Sequence, residues 1–177
     1  MPRSRFILAP DLELEELAAY HEDIVSSLRL YFSTAAPAFT TRFEGQSLGE
    51  VSGELASRLD ESDVRSSLAV LSSLEAGFRV DFNLRCRRRL KDDLSVYFRQ
   101  TENGRGDRIR LDEDIIEGWK TCTDAPPKLI SDLRGAFRFR HWVAHGRYWV
   151  PKFGRKYDFD SVYLLASAIV LTFPFVA

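Results

Sequence analysis

The chain has 177 residues, 45% hydrophobic and 29% charged, with a formal net charge of −1. That length suits one domain around a single core, and the composition excludes wholesale disorder. A near-neutral chain has no global field to draw it onto nucleic acid, so any such contact has to come from a local basic patch.

Residues 1–10 carry the apolar run Phe6-Ile7-Leu8-Ala9, which is too short for a signal peptide and is followed at once by acidic residues. Asp11 reads as the N-cap of a first helix, in which Leu14, Leu17, Ile24, Leu28 and Tyr31 recur at helical spacing to about Ser33. Pro37 closes it. Residues 39–53, punctuated by Gly45, Gly49 and Gly53, read as a loop. A long central helix is expected over about 61–99, where Val64, Leu68, Leu71, Phe78, Phe82, Leu90, Leu94 and Phe98 fall on helical steps. Residues 102–107 read as a turn, and a short helix over 112–122 carries Ile115, Ile116 and Trp119.

Pro126-Pro127 restarts the chain at a helix N-terminus, and that helix reaches about His145, with Gly146 in the C′ position. Residues 146–157 form an aromatic, basic loop containing Pro151 and Gly154, and the last helix starts near Asp158 or Asp160. From 161 to 177 there is no charge, about the lower limit for a membrane span. No basic anchor follows, so the expectation is a core helix with a frayed apolar end and no membrane. Cys86 and Cys122 lie far apart and lack nearby histidines, so neither a disulfide framework nor zinc spacing is present, and free thiols in a reducing cytoplasm are expected. Neither a Gly-rich phosphate loop nor a nucleophile elbow occurs, so no metal or other cofactor is expected. Residues 1–177 therefore read as one all-α bundle of about five helices with a long central helix.

The helix over 128–145 carries the chemistry. Ile130, Leu133, Phe137 and Ala144 form one apolar stripe, and Arg140 falls in its middle. A guanidinium in a packing seam is costly unless it is paired or lines a polar cleft. Beside the stripe run Arg134, Arg138, His141 and His145, spaced four, three and four. With Phe139, Trp142 and Val143 on much of the remaining surface, the helix is expected to be largely buried. His145 stands at the helix C-terminus, where the macrodipole favours a positive charge.

Arg140, the polar His141, the spacer Trp142-Val143-Ala144 and then His145 resemble the signature of the HEPN superfamily of helical nucleases. The string from Phe137 to Trp149 is similar to the branch whose motif ends in Ala-His-Gly. The same spacing class is met by Arg138 with His145 and by Arg134 with His141. The Arg140–His145 register is preferred because a polar residue follows the Arg and a Gly follows the His. The resemblance implies a HEPN-like bundle and metal-independent cleavage of RNA to 2′,3′-cyclic phosphate ends. In it His145 moves the proton, Arg140 neutralises the phosphorane, and His141, Arg138 and Arg147 bind substrate. It further implies a homodimer with a composite active site, for which the Phe139–Trp142–Val143 face is the candidate interface. A toxin or defence role, with an antitoxin protein as partner, also follows from the resemblance.

Three readings stay open at this point: the endoribonuclease, a catalytically silent HEPN module binding RNA, nucleotide or a partner protein, and a structural dimer in which Arg140 and the histidines form a buried polar network. Outside the motif, Arg85-Cys86-Arg87-Arg88-Arg89-Leu90-Lys91 reads either as a track for an RNA backbone or as a solvated face. Glu75 and Arg79 read as a routine intrahelical pair.

Overall fold

The computed structural model describes residues 14–147, 149–150 and 152–176, so Asp11, Tyr148 and Pro151 lie outside the described residues. Among them the chain forms seven α-helices and no strand: α1 (Leu14–Tyr31), α2 (Phe39–Arg42), α3 (Leu48–Arg88), α4 (Asp93–Arg105), α5 (Glu117–Cys122), α6 (Pro127–Ala144) and α7 (Phe159–Thr172). A 3₁₀ turn (Gly106–Arg108) and a π-helical segment (Leu111–Ile116) join α4 to α5.

The central helix is 41 residues long, and both its ends differ from the expected 61–99. It starts earlier because Ser47 and Glu50 form a capping box, Ser47 Oγ accepting from the Glu50 N–H at 3.2 Å and Glu50 Oε2 accepting from the Ser47 N–H at 2.7 Å. Gly49 and Gly53 are therefore helical residues, not loop breakers. It ends at Arg88 because Arg89 turns left-handed (φ 50°) and Asp92 caps a new helix, accepting from the Ser95 N–H at 3.0 Å. The expected single helix is thus two. α6 begins with Pro127 in its first turn, and the Asp158 side chain caps α7, both as the residue types predict.

Helices α1, α4, α6 and α7 all lean on α3. The main core centres on Val70, Leu71, Leu74 and Phe78 of α3, with Trp119, Leu133, Val162 and Ile169 fully buried around them. A satellite cluster of Phe32, Phe43 and Val51 closes the bundle where α2 turns back onto α3. Gly118 is required where α5 crosses α4: a Cβ there would lie 2.6 Å from the Phe98 ring and 2.8 Å from the Tyr97 ring.

The apolar C-terminal end is not frayed. Phe173 and Phe175 pack edge-on to Phe78, with ring centroids 5.7 and 5.0 Å away, and also meet Trp119. Two hydrogen bonds fasten this tail to α3: the Val176 N–H donates to Asp81 Oδ1 at 2.7 Å, and Arg85 Nη2 donates to the Pro174 carbonyl at 2.7 Å. Asp81 and Arg85 pair with each other at 2.9 Å, both side chains almost wholly buried. Burial pushes the Asp81 carboxyl up, against the Val176 N–H and the Arg85 guanidinium that hold it down. Removing one partner of such a pair leaves an uncompensated buried charge. Arg85→Ala is therefore expected to lower stability by about 3–5 kcal/mol, read as a shift in the urea midpoint; a shift below about 1 kcal/mol would mean that the pair behaves as an exposed one.

Candidate functional site

The end of α6 places the motif histidines. The Gly146 N–H donates to the Val143 carbonyl at 3.2 Å and the Arg147 N–H to the Trp142 carbonyl at 3.1 Å. That is a Schellman closure, with Gly146 at φ 82° and Arg147 at φ 57°. His145 is the C-cap residue and points out of the bundle. His141, four residues earlier, lies directly beneath it, and the two exposed rings have centroids 4.1 Å apart. Neither imidazole has a hydrogen-bond partner among the described residues.

Arg140 is on another side of α6. Five residues separate it from His145, about 140° around a helix of 3.6 residues per turn. It faces α3, where Arg140 Nη1 lies 2.9 Å from Glu75 Oε2, close enough for an ion pair though not aligned as a hydrogen bond. Glu75 Oε1 also accepts from Arg79 Nε at 2.8 Å, so one half-buried carboxylate serves two guanidiniums. Arg140 Nε is buried and has no acceptor. The buried network of Arg140 with both histidines, one of the three open readings, does not form; the arginine is joined to α3 and the imidazoles face solvent.

A cleft of about 610 Å³ opens between these elements, lined on one side by Glu75 and Asp112 and on the other by Arg134, Arg138, Arg140 and His141, with Trp149, Lys152 and Phe153 as its rim. Four cations face two carboxylates there. Arg134 is neutralised, its Nε donating to Asp112 at 2.6 Å and its Nη2 to Glu117 at 2.6 Å. Arg138 and Lys152 are exposed and make no ion pair among the described residues. Of the arginines in the three Arg–His registers, Arg134 and Arg140 are ion-paired, and Arg138 shares a helix face with both histidines. The loop 145–157 is held over α6 by the Trp142 indole N–H, which donates to the Trp149 carbonyl at 2.8 Å.

One expectation needs correction. Phe139 does not belong to an interface: it is buried, stacked on Tyr157 at 5.1 Å and edge-on to Phe153 at 5.7 Å. Trp142 packs partly against the same ring cluster, so the Phe139–Trp142–Val143 face is largely internal. Arg147, expected to meet phosphate, is paired with Glu61 of α3, Nη1 and Nη2 donating to its two carboxylate oxygens at 2.6 and 3.1 Å, outside the lining of the cleft. The Arg147 bond, then Arg65, hold the Glu61 carboxyl down at about 2.

Glu75 and Glu61 are the site residues that sequence reasoning missed. The signal for Glu75 was indirect: an arginine in an apolar stripe demands a carboxylate, but nothing in the sequence says which. No known protein-family model matches the chain, and no curated protein or solved structure matches it significantly.

A carboxyl depressed in the fold contributes stability that is present above its unfolded value, near 4.5, and lost as pH falls towards 2. Glu61→Gln is accordingly expected to flatten the loss of stability between those pH values, measured as the urea midpoint against pH. An unchanged profile would show that Arg147 is not tethered in solution.

Proposed function

We propose that the protein is a metal-independent endoribonuclease of HEPN type, with its reacting centre at the open end of α6. The observation that carries this reading is a pair of exposed imidazoles 4.1 Å apart: His141 lines a cation-rich cleft, and His145 stands next to His141 outside that lining. An imidazole is the one side chain that both accepts and donates a proton near neutral pH. A guanidinium placed beside it binds phosphate oxygens through a planar pair of donors.

The chemistry follows from those groups. An imidazole removes the proton of the ribose 2′-hydroxyl, O2′ bonds to phosphorus, and the bond to O5′ breaks. The leaving oxygen takes a proton, giving a 2′,3′-cyclic phosphate and a 5′-hydroxyl. His145 moves the proton, His141 holds a phosphate oxygen, and Arg140 with Arg138 neutralises the charge that builds on the phosphorane. For Arg140 to do this, substrate phosphate has to take the place of Glu75 on its guanidinium.

Attacking and leaving oxygens lie on opposite sides of phosphorus, and one edge of one helix reaches only one side. A second protomer, bringing its own Arg140 and His145 across the cleft, supplies the other. This supports the homodimer with a composite site that the family resemblance implies. RNA is then the substrate, and a toxin or defence effector held in check by an antitoxin is the biological setting the resemblance suggests.

One observation favours a second reading. Glu75 and Glu61 occupy the guanidiniums of Arg140 and Arg147, as they would in a catalytically silent module that binds RNA, nucleotide or a partner protein. Incubating the purified protein with RNA in EDTA separates the two. Cyclic-phosphate ends are expected from the wild type, with loss of about 10²–10⁴ in rate for His145→Ala and a comparable loss for Arg140→Ala. RNA bound but uncut supports the silent module, and cleavage that survives both substitutions sinks the assignment.

A further inference from the structure

At the junction of α3 and α4 Asp81 is buried, and exposed cations outnumber the exposed carboxylates Asp92, Asp93 and Glu102. Asp81 is held by Arg85 and the Val176 N–H, and Asp92 by Arg85 and Ser95. Arg85, though part of the basic run in sequence, is buried in that network. Arg87, Arg88, Arg89 and Lys91 remain at the surface, with Asp93 exposed among them. Next to them a concavity of about 410 Å³ is lined by Arg89 and Arg99, one carboxylate, Glu102, and the amides Gln100 and Asn103. Arg88, Arg89, Lys91 and Arg99 make no ion pair among the described residues.

This corner is continuous with the cleft. Glu75, Arg79, Asn83 and Arg87 recur every four residues, so they form one slowly turning stripe along α3, and Glu75 lines the cleft itself. The stripe runs 12 residues from Glu75 to Arg87, and Arg89 at the helix end lies two residues further on, about 21 Å from Glu75 at the rise of an α-helix. A stacked strand rising about 3.4 Å per nucleotide covers that length in about six steps. The cations are spread over two helices and the turn between them, wider than one phosphate group. None of the large exposed apolar side chains lies between residues 79 and 105, whereas a membrane-binding basic surface carries apolar residues that enter the lipid.

We infer that the outer stripe of α3 and the α3–α4 corner form a track for the phosphodiester backbone of single-stranded RNA, leading away from the cleft. The inference rests on the proposed reading of the cleft and sets the substrate class as a strand of at least about seven nucleotides, longer than the reacting centre alone would need.

The test uses fluorescein-labelled 2′-O-methyl oligouridylates, which cannot be cut, of four and twelve nucleotides, with the full chain and a triple variant. The variant is Arg88→Ala, Arg89→Asn and Lys91→Ala, asparagine being tolerated in the left-handed region. A thermal melt by circular dichroism checks that it folds. The twelve-mer is expected to bind the wild type more tightly than the four-mer. In the variant its affinity should fall roughly ten- to hundredfold at 0.1 M salt, and its log–log salt slope by about two, as for three lost contacts at about 0.7 each. The four-mer should be unaffected.

A twelve-mer unaffected by the variant, or both lengths weakened equally, overturns the track. So does binding of phosphatidylserine vesicles through the corner in place of the twelve-mer. Cleavage of an unmodified four-mer reads the reacting centre by itself. If it is cut while the variant binds the twelve-mer normally, the track fails and the nuclease stands. If the wild type cuts nothing but holds the twelve-mer through the corner, the nuclease fails and the track stands.

Discussion

A helix of 41 residues is about 60 Å long, and no part of it is stable unless neighbours cover its apolar side. The rest of the bundle is arranged by that requirement, since α1, α4, α6 and α7 all lie against α3. Apolar burial is non-directional, so it does not by itself say at what level each neighbour sits. Polar groups on α3 supply that information. Asp63 and Ser66 flank His21 of α1, Glu61 holds Arg147 after α6, Glu75 holds Arg140 within α6, and Asp81 with Arg85 holds the C-terminal tail. Each neighbour is thus pinned at a different height along one spine.

These pins differ in burial. Asp81 and Arg85 are sealed under Phe173, Phe175 and Trp119, where rearrangement would strand a charge away from water. His21 is similarly fixed, its ring stacked on Phe159 at 3.9 Å with Ser66 Oγ at 2.9 Å from Nδ1. Glu61–Arg147 is about one-third open to solvent, and Glu75–Arg140 is more closed, with Glu75 Oε2 and Arg140 Nε buried. The more open pair is Glu61–Arg147 beside the end of α6, and the most buried is Asp81–Arg85 near the C-terminal end of α3.

The histidine pair depends on the same arrangement. His141 and His145 are exposed because α6 is closed by Gly146 and because its inner face is filled by Leu133, Ala136 and Phe139. The Trp142–Trp149 hydrogen bond keeps the following loop beside them, so the aromatic and basic residues of that loop form the rim of the cleft instead of covering the imidazoles.

Much of this was readable along the chain because local rules act locally. Pro127, Gly146 and Asp158 mark helix ends through backbone geometry that is independent of the partner, and the all-helical class follows from apolar spacing. Even the early start of α3 was written in the sequence as Ser47 and Glu50, outweighed in reading by the nearby glycines. The break at Arg89 was not, because a left-handed arginine is held by Asp92 capping the next helix and receiving Arg85. Which carboxylate meets Arg140, that Phe139 turns inward and that Arg147 is taken by Glu61 are decided by residues 65 to 86 positions apart in the chain, or by a loop returning over α6. Side-chain identity says that a guanidinium needs a partner; only the packing of one helix on another chooses it.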